Sequence, residues 1–474
     1  MLFPTISFAA FFAVVFPITW LLNTHNSWKK WFLVAASYYF YAFWSVKLTL
    51  LLLGSSLGNY LAALALGKMT DGRWRRAALW AIVGANLGVL GVFKYYNFFV
   101  ANMIDALAAL GLDRLAAGGN SLFIELPPVI AISFLTFHVL SYVIDVYDRK
   151  LKPTTDIVDI LLYVSFFPHL VAGPIVRAAT FLAQTVRPSR TADVKLAYSV
   201  FLILGGLFKK VIIANYLSTD FVDNVFRNPA DFSTLDLLLG TYAYGLQIYC
   251  DFSAYTDIAI GVANLLGYEF PQNFNQPYRA LSVQDFWRRW HITLSTWLRD
   301  YLYIRALGGN RAGRVRTYVN LMVTMGLGGL WHGASGKFVV WGLLHGLALA
   351  LERALGFAGA PRSRLGAALA WLVTFHFVCF AWVFFRSPSL DAAWVYFATM
   401  FSGVGGRTTM TPLVATVLVL GALTQIIPAG WFAGLQARYA ASPLALKIAV
   451  PFAAIFLIAV AAPGGIPPFI YFQF

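Results

Sequence analysis

Charged side chains are scarce in this sequence. Only 12% of its 474 residues are Asp, Glu, Lys or Arg, about half the share of an ordinary soluble domain, and 59% are hydrophobic. A chain so composed cannot cover its surface with polar groups, so lipid must be the solvent for much of it. Cysteine is nearly absent. Cys250 and Cys379 both lie in apolar surroundings and read as small buried hydrophobes, so neither a disulfide framework nor a metal site is supported. Acids are fewer than bases, 20 against 35, for a formal net charge of +15. The bases form no soluble patch. They fall in short clusters between apolar runs, as cytoplasmic loops of a membrane protein do, which argues against nucleic acid as a partner and for membrane lipids. Also missing are a Walker loop, a dinucleotide fingerprint, a His-Glu-x-x-His motif and a Gly-x-Ser-x-Gly elbow. With no internal repeat, low-complexity tail or long linker, residues 1–474 read as a single membrane domain that must do any chemistry itself.

What the chain has in plenty is apolar runs. Candidate spans lie near 5–22, 31–46, 48–66, 77–100, 127–147, 195–214, 235–250, 253–268, 316–331, 335–354, 365–386, 411–428 and 444–462. Pieces at 157–174 and 391–402 are shorter and read as re-entrant or interfacial. The expected fold class is all-α and polytopic, with roughly 11–13 transmembrane helices. Residues 1–23 lack a basic start and a small-residue cleavage site and read as the first span. Lys29 and Lys30, then Lys68, Arg73, Arg75 and Arg76, then Arg149, Lys150 and Lys152 mark alternate loops as cytoplasmic, which puts the N-terminus outside. Arg288, Arg289, Arg299, Arg305, Arg311, Arg314 and Arg316, with Asp300 the one acid among them, are the strongest cytoplasmic mark.

Two stretches could carry chemistry. In 284–303, arginines and tryptophans alternate at helical spacing around His291. That suits an interfacial helix with rings at headgroup depth, in which His291 is either functional or merely amphipathic. In 326–336, glycines surround Trp331 and His332 between two apolar runs. The glycines permit close backbone approach or a break in the helix. An ionisable group there is costly to keep and marks a functional position, and neutral His can act as a general base near pH 7. The alternative is a histidine bonded to a neighbouring helix. Ser335 beside it makes no triad. Asp251 and Asp257 lie about 240° apart on a regular helix, so they read as structural: breaking the helix, or holding an arginine from 288–316. His169 could line a passage or simply pack. His138, His345 and His376 read as satisfied structural histidines.

These stretches resemble a known family. Trp287-Arg-Arg-Trp-His-Ile-Thr-Leu-Ser-Thr-Trp-Leu-Arg-Asp-Tyr-Leu-Tyr303, Leu307-Gly-Gly-Asn310-Arg and Gly328-Gly-Leu-Trp-His332-Gly-Ala look like the membrane-bound O-acyltransferases, in their bacterial alginate O-acetyltransferase-like branch. Ala36-Ser-Tyr-Tyr-Phe-Tyr-Ala, Phe167-Pro-His-Leu-Val-Ala-Gly-Pro-Ile, Asp251-Phe-Ser-Ala-Tyr-Thr-Asp and Asn273-Phe-Asn-Gln-Pro-Tyr support the match. Ala254 stands where a glycine is usual. The motif-bearing core runs from about 30 to 386, and the C-terminal helices at about 390–474 carry no matching motif.

The resemblance implies helices around a central funnel, with His332 as the catalytic histidine and His291 as the second histidine of the site. Arg288, Arg289, Trp290, Arg299, Asn310 and Trp331, in the same motifs, are the candidate substrate-binding residues. No metal and no tightly bound cofactor is expected; acetyl-CoA or another acyl thioester would be the donor substrate. The implied reaction passes an acyl group, most simply acetyl, across the bacterial inner membrane for O-acetylation of an extracytoplasmic polysaccharide, through a periplasmic acyltransferase or acceptor protein. The rival reading from composition is a polytopic transporter or flippase in a polysaccharide export system.

Overall fold

Most of the apolar runs among the described residues are helical. The computed structural model describes residues 1–127, 129, 131–357, 363–403, 406, 408–464 and 469. Among these, helix follows helix and no strand element occurs, as the all-α expectation requires. Among the described residues four helices are long and apolar enough to cross a bilayer: Val46–Lys68, Gly72–Ala109, Leu196–Arg227 and Arg364–Arg386. Pro412–Ile426 and Gly430–Ala441, bent by 90°, make a fifth if taken together. Ile6–Leu21, Ile132–Tyr147 and Leu444–Val460 are shorter apolar helices. Fewer segments reach that threshold than the 11–13 spans read from the apolar runs, because several of the remaining helices are short or bury polar side chains.

The chain forms two compact units. One comprises Met1, Ala10–Ser189 and Gly333–Ser335. In it Lys30, one of the basic residues after the first apolar run, is tied to Asp156 (2.5 Å) and Asp159 (2.8 Å). His169 is fully buried, its Nε2 2.8 Å from the Tyr163 carbonyl oxygen. It stacks on His138 with ring centres 4.5 Å apart. Packing, and not a passage, is the arrangement seen.

The second unit comprises Leu2–Ala9, Arg190–His332 and Gly336–Phe474. The expected spans 235–250 and 253–268 are here one helix, Thr234–Leu265, started by Ser233, whose Oγ accepts the Asp236 N–H at 3.1 Å. Asp251 and Asp257 do not break it because each is neutralised. Lys210 Nζ lies 2.8 Å from Asp251 Oδ1 and Lys209 Nζ lies 2.6 Å from Asp257 Oδ2. Lys209 also donates to Ser253 Oγ at 2.8 Å. Both lysines come from a π-helical turn, Phe208–Ala214, so lysines fill the place proposed for arginines of 288–316.

Glycine sets the depth of the last elements that matter here. Helices Gly313–His332 and Gly336–Ala354 meet backbone to backbone. A Cβ on Gly329 would stand 2.1 Å from the Phe338 carbonyl oxygen, and one on Gly342 would stand 2.2 Å from that of Met325. Only hydrogen fits at these two points, the small-residue packing that lets membrane helices approach closely. Both roles open to the glycines of 326–336 are adopted: Gly329 allows the close approach, and the helix breaks after His332, over residues 333–335, before the next begins at Gly336.

Candidate functional site

The segment around His291 is not the continuous helix that its spacing suggested. Helix Val283–Arg289 stops, Trp290 is extended, and a second helix Ile292–Trp297 begins, running into a π-helical turn, Leu298–Ala306. The first helix is anchored at its start. Ser282 Oγ accepts the Asp285 N–H at 2.9 Å. From helix Gly336–Ala354, Glu352 accepts the Val283 N–H at 2.5 Å and the Gln284 N–H at 3.0 Å. A carboxylate at a helix N-terminus satisfies orphan donors and complements the helix dipole.

At the break His291 has φ +42°, the left-handed region, which costs a non-glycine residue roughly 1–2 kcal/mol. Asn273 holds it there. Its backbone oxygen accepts the Ile292 N–H at 2.9 Å. Its Oδ1 receives the Thr293 N–H at 3.1 Å, the Thr293 hydroxyl at 2.9 Å and His291 Nδ1 at 3.2 Å. A backbone N–H can only donate, so the shared atom is the amide oxygen. In the neutral ring Nδ1 therefore carries the proton and Nε2 the lone pair. His291 is fully buried and is not the exposed ring of an amphipathic helix: the break turns it inward, against Phe252 at 4.7 Å.

His332 is the last residue of its helix and 4% exposed. Its ring stands edge-to-face with Trp331 (5.0 Å), Trp341 (5.1 Å) and Phe385 (5.3 Å). The Trp331 ring is also 6.1 Å from that of His291. One indole thus touches both histidines, and the structure brings His291, Trp331 and His332 together from separate motifs.

The other expected residues are placed differently. Trp290 is 1% exposed and packed by Phe274, Trp382 and Phe286 at 5.0–5.6 Å. It is a core side chain, and it lies at the same break between helices as His291. Arg289 pairs with Asp285 at 2.9 Å, one helical turn away. Arg299 pairs with Asp300 at 2.7 Å and remains largely exposed. Arg288 is exposed. Asn310, also exposed, accepts the Tyr303 hydroxyl with its Oδ1. Arg288, Arg299 and Asn310 are exposed and Arg289 is half-buried, so these four form a polar margin and do not join the buried histidine core. Among the described residues no group of three or more His, Cys, Asp or Glu could hold a metal.

Sequence reasoning passed over Asn273, Glu352 and Trp341. Asn273 opens a matched motif, which was a signal. The other two gave none. His345 is only half the satisfied residue it was read as. Its Nδ1 accepts the Trp287 indole N–H at 3.3 Å, while its buried Nε2 has no hydrogen-bond partner among the described residues. His376 bonds its own helix through the Leu372 oxygen at 2.7 Å.

A model of the MBOAT, membrane-bound O-acyltransferase family, matches residues 149–389, a range that contains every site residue named above. The chain is 43% identical over 406 residues to a Pseudomonas aeruginosa protein named "Probable alginate O-acetylase AlgI", covering 85% of this chain and 75% of that one. It is 39% identical over 394 residues to the peptidoglycan O-acetyltransferase of Helicobacter pylori, covering 77% and 72%. It is 31% identical over 277 residues to the teichoic acid D-alanyltransferase of Bacillus subtilis, covering 54% and 68%.

Proposed function

The chain belongs to the membrane-bound O-acyltransferase family and is an integral membrane acyltransferase; from that premise we propose that it moves acetyl groups from a cytosolic thioester, acetyl-CoA, across the bacterial inner membrane for O-acetylation of an extracytoplasmic polysaccharide. The observation that carries the site is the buried constellation of His291, Trp331 and His332. Acetyl is the group because the relatives alike over most of both chains are O-acetylating enzymes by name. The D-alanyl relative is similar over a smaller share of this chain.

His332 is the general base. It takes the proton of the accepting hydroxyl as that oxygen attacks the thioester carbon, and returns it to the departing sulfur. General-base help of this kind contributes about 10²–10⁴-fold. His291, held by Asn273 with Nε2 as its lone-pair nitrogen, orients the substrate beside Trp331. The exposed guanidinium groups of Arg288, Arg299, Arg311, Arg314 and Arg316 suit the phosphates of coenzyme A, since Arg forms bidentate bonds to such oxygens. By the positive-inside rule those arginines, and the basic clusters after the first and third apolar runs, read as cytoplasmic and the N-terminus as periplasmic. There the acetyl group passes to a periplasmic acyltransferase or acceptor protein.

The test is label transfer from acetyl-CoA in membranes holding the chain and its partner. His332→Ala should abolish transfer at unchanged protein level. Full transfer by that variant removes His332 from the mechanism, and movement of substrate with the thioester intact would mean a transporter.

A further inference from the structure

Trp341 is one ring from His332, and the steps above leave it unused. It is 1% exposed. Around it stand His332 at 5.1 Å, His345 at 5.0 Å, Trp287 at 5.8 Å, Trp382 at 5.3 Å and Phe385 at 5.2 Å. An indole N–H can only donate. His345 cannot receive it: its Nδ1 already accepts the Trp287 N–H, so the proton of the neutral ring sits on Nε2. Trp341 Nε1 is buried and has no hydrogen-bond partner among the described residues.

Leaving such a donor unmade costs about 1–3 kcal/mol, and a phenylalanine would fill an aromatic box without that cost. His345 Nε2, one helical turn further along the same helix, is a second buried donor in the same condition. Unpaired donors beside a reacting group are what a carbonyl that gains negative charge requires, because they need no reorganisation when the charge appears. The position is also fixed in depth. Gly342, next in sequence, is the residue whose Cβ would stand 2.2 Å from the Met325 oxygen, so the indole cannot slide along the facing helix.

We propose that Trp341 Nε1–H donates a hydrogen bond to the carbonyl oxygen of the acyl thioester and to the oxyanion formed from it, which makes Trp341 a catalytic residue. This rests on the reading of His332 as base. The hydroxyl oxygen of the acceptor forms the new C–O bond, and its proton passes to His332. The carbonyl π pair moves onto oxygen, where the indole N–H holds it. When the C=O bond reforms, the C–S bond breaks, and the proton on His332 passes to the thiolate. Trp341 is chosen over His345 because its ring packs against His332.

The experiment replaces Trp341 with benzothienylalanine, which keeps the ring shape and puts sulfur in place of N–H, alongside Trp341→Phe and His332→Ala. The full-length chain with its partner in membranes is given labelled acetyl-CoA, and kcat and KM are measured per folded protein. The isostere and Trp341→Phe should each lower kcat by about 10²–10³-fold, with donor KM little changed. Wild-type kcat in the isostere overturns the proposal, including where Trp341→Phe is slow, since shape is then the whole role. If the isostere is fully active while His332→Ala is dead, this inference alone fails. If His332→Ala is active, the reading of the site fails and takes the inference with it.

Discussion

Gly329 offers a way to displace His332 without altering it. It lies three residues before His332 on the same helix, and a methyl group there would stand 2.1 Å from the Phe338 carbonyl oxygen and 3.0 Å from its carbon. Both are backbone atoms, so no rotamer change can make room. An ordinary C···O contact is about 3.3 Å, and reaching it forces the two helices apart by about 1.2 Å. Overpacking of this kind costs about 1–3 kcal/mol. A 1 Å displacement of catalytic groups costs about 10²-fold in rate. Gly329→Ala should therefore lower the melting temperature in detergent, and the folded fraction should transfer acetyl about 10²-fold more slowly. Gly54→Ala and Gly58→Ala are the controls, because nothing lies within 4 Å of either added methyl. The assay is label transfer normalised to folded protein from size-exclusion fluorescence. Wild-type rate and melting temperature in Gly329→Ala would show that this contact does not set the position of His332.

Three further outcomes follow from the same geometry. Lys210→Met strands the Asp251 carboxylate, whose side chain is 5% exposed, and should cost about 3–5 kcal/mol. Lys210→Met with Asp251→Leu should be markedly less damaging, and equal melting temperatures for the single and double variants would refute the pairing. Asn273→Ala removes the acceptor for His291 Nδ1 and for Thr293; transfer should fall at least about 10-fold, and wild-type kinetics would show that His291 needs no such anchor. Glu352→Gln weakens the cap on Val283 and Gln284, with an expected loss of about 1 kcal/mol. Hydrogen exchange over 283–289 should rise, and unchanged protection there would count against the cap.

The broad fold was legible because hydrophobic runs and glycine spacing are local properties of a sequence. The run read at 316–331 lies within the helix Gly313–His332, and the glycines before His332 mark the close approach that is found. What could not be read was pairing across distance. Asp257 is held by Lys209, 48 residues earlier. Nothing in the local sequence distinguishes that partner from the arginines downstream, because charge attraction carries no address. The apparent break at Asp251 was the same error. A carboxylate interrupts an apolar helix only if it is left alone, and whether it is alone is a tertiary fact.

His291 shows the same limit from the other side. The Trp-Arg-Arg-Trp-His run has helical spacing, and spacing alone predicts an exposed ring at the interface. The spacing is real within Val283–Arg289, yet it stops at Trp290 because Asn273 competes for the backbone. Its oxygen takes the Ile292 N–H, and its side chain takes the Thr293 N–H. Those are donors at the start of the second helix, where they have no intrahelical partner. Satisfying them from outside makes a break affordable there, and the left-handed residue that the break requires is the histidine. The strain and the proposed site histidine therefore coincide at one position. Relaxing His291 into a helical φ would release Asn273 and turn the ring away from Trp331, so the cost of the strained backbone is what keeps the two histidines on one indole.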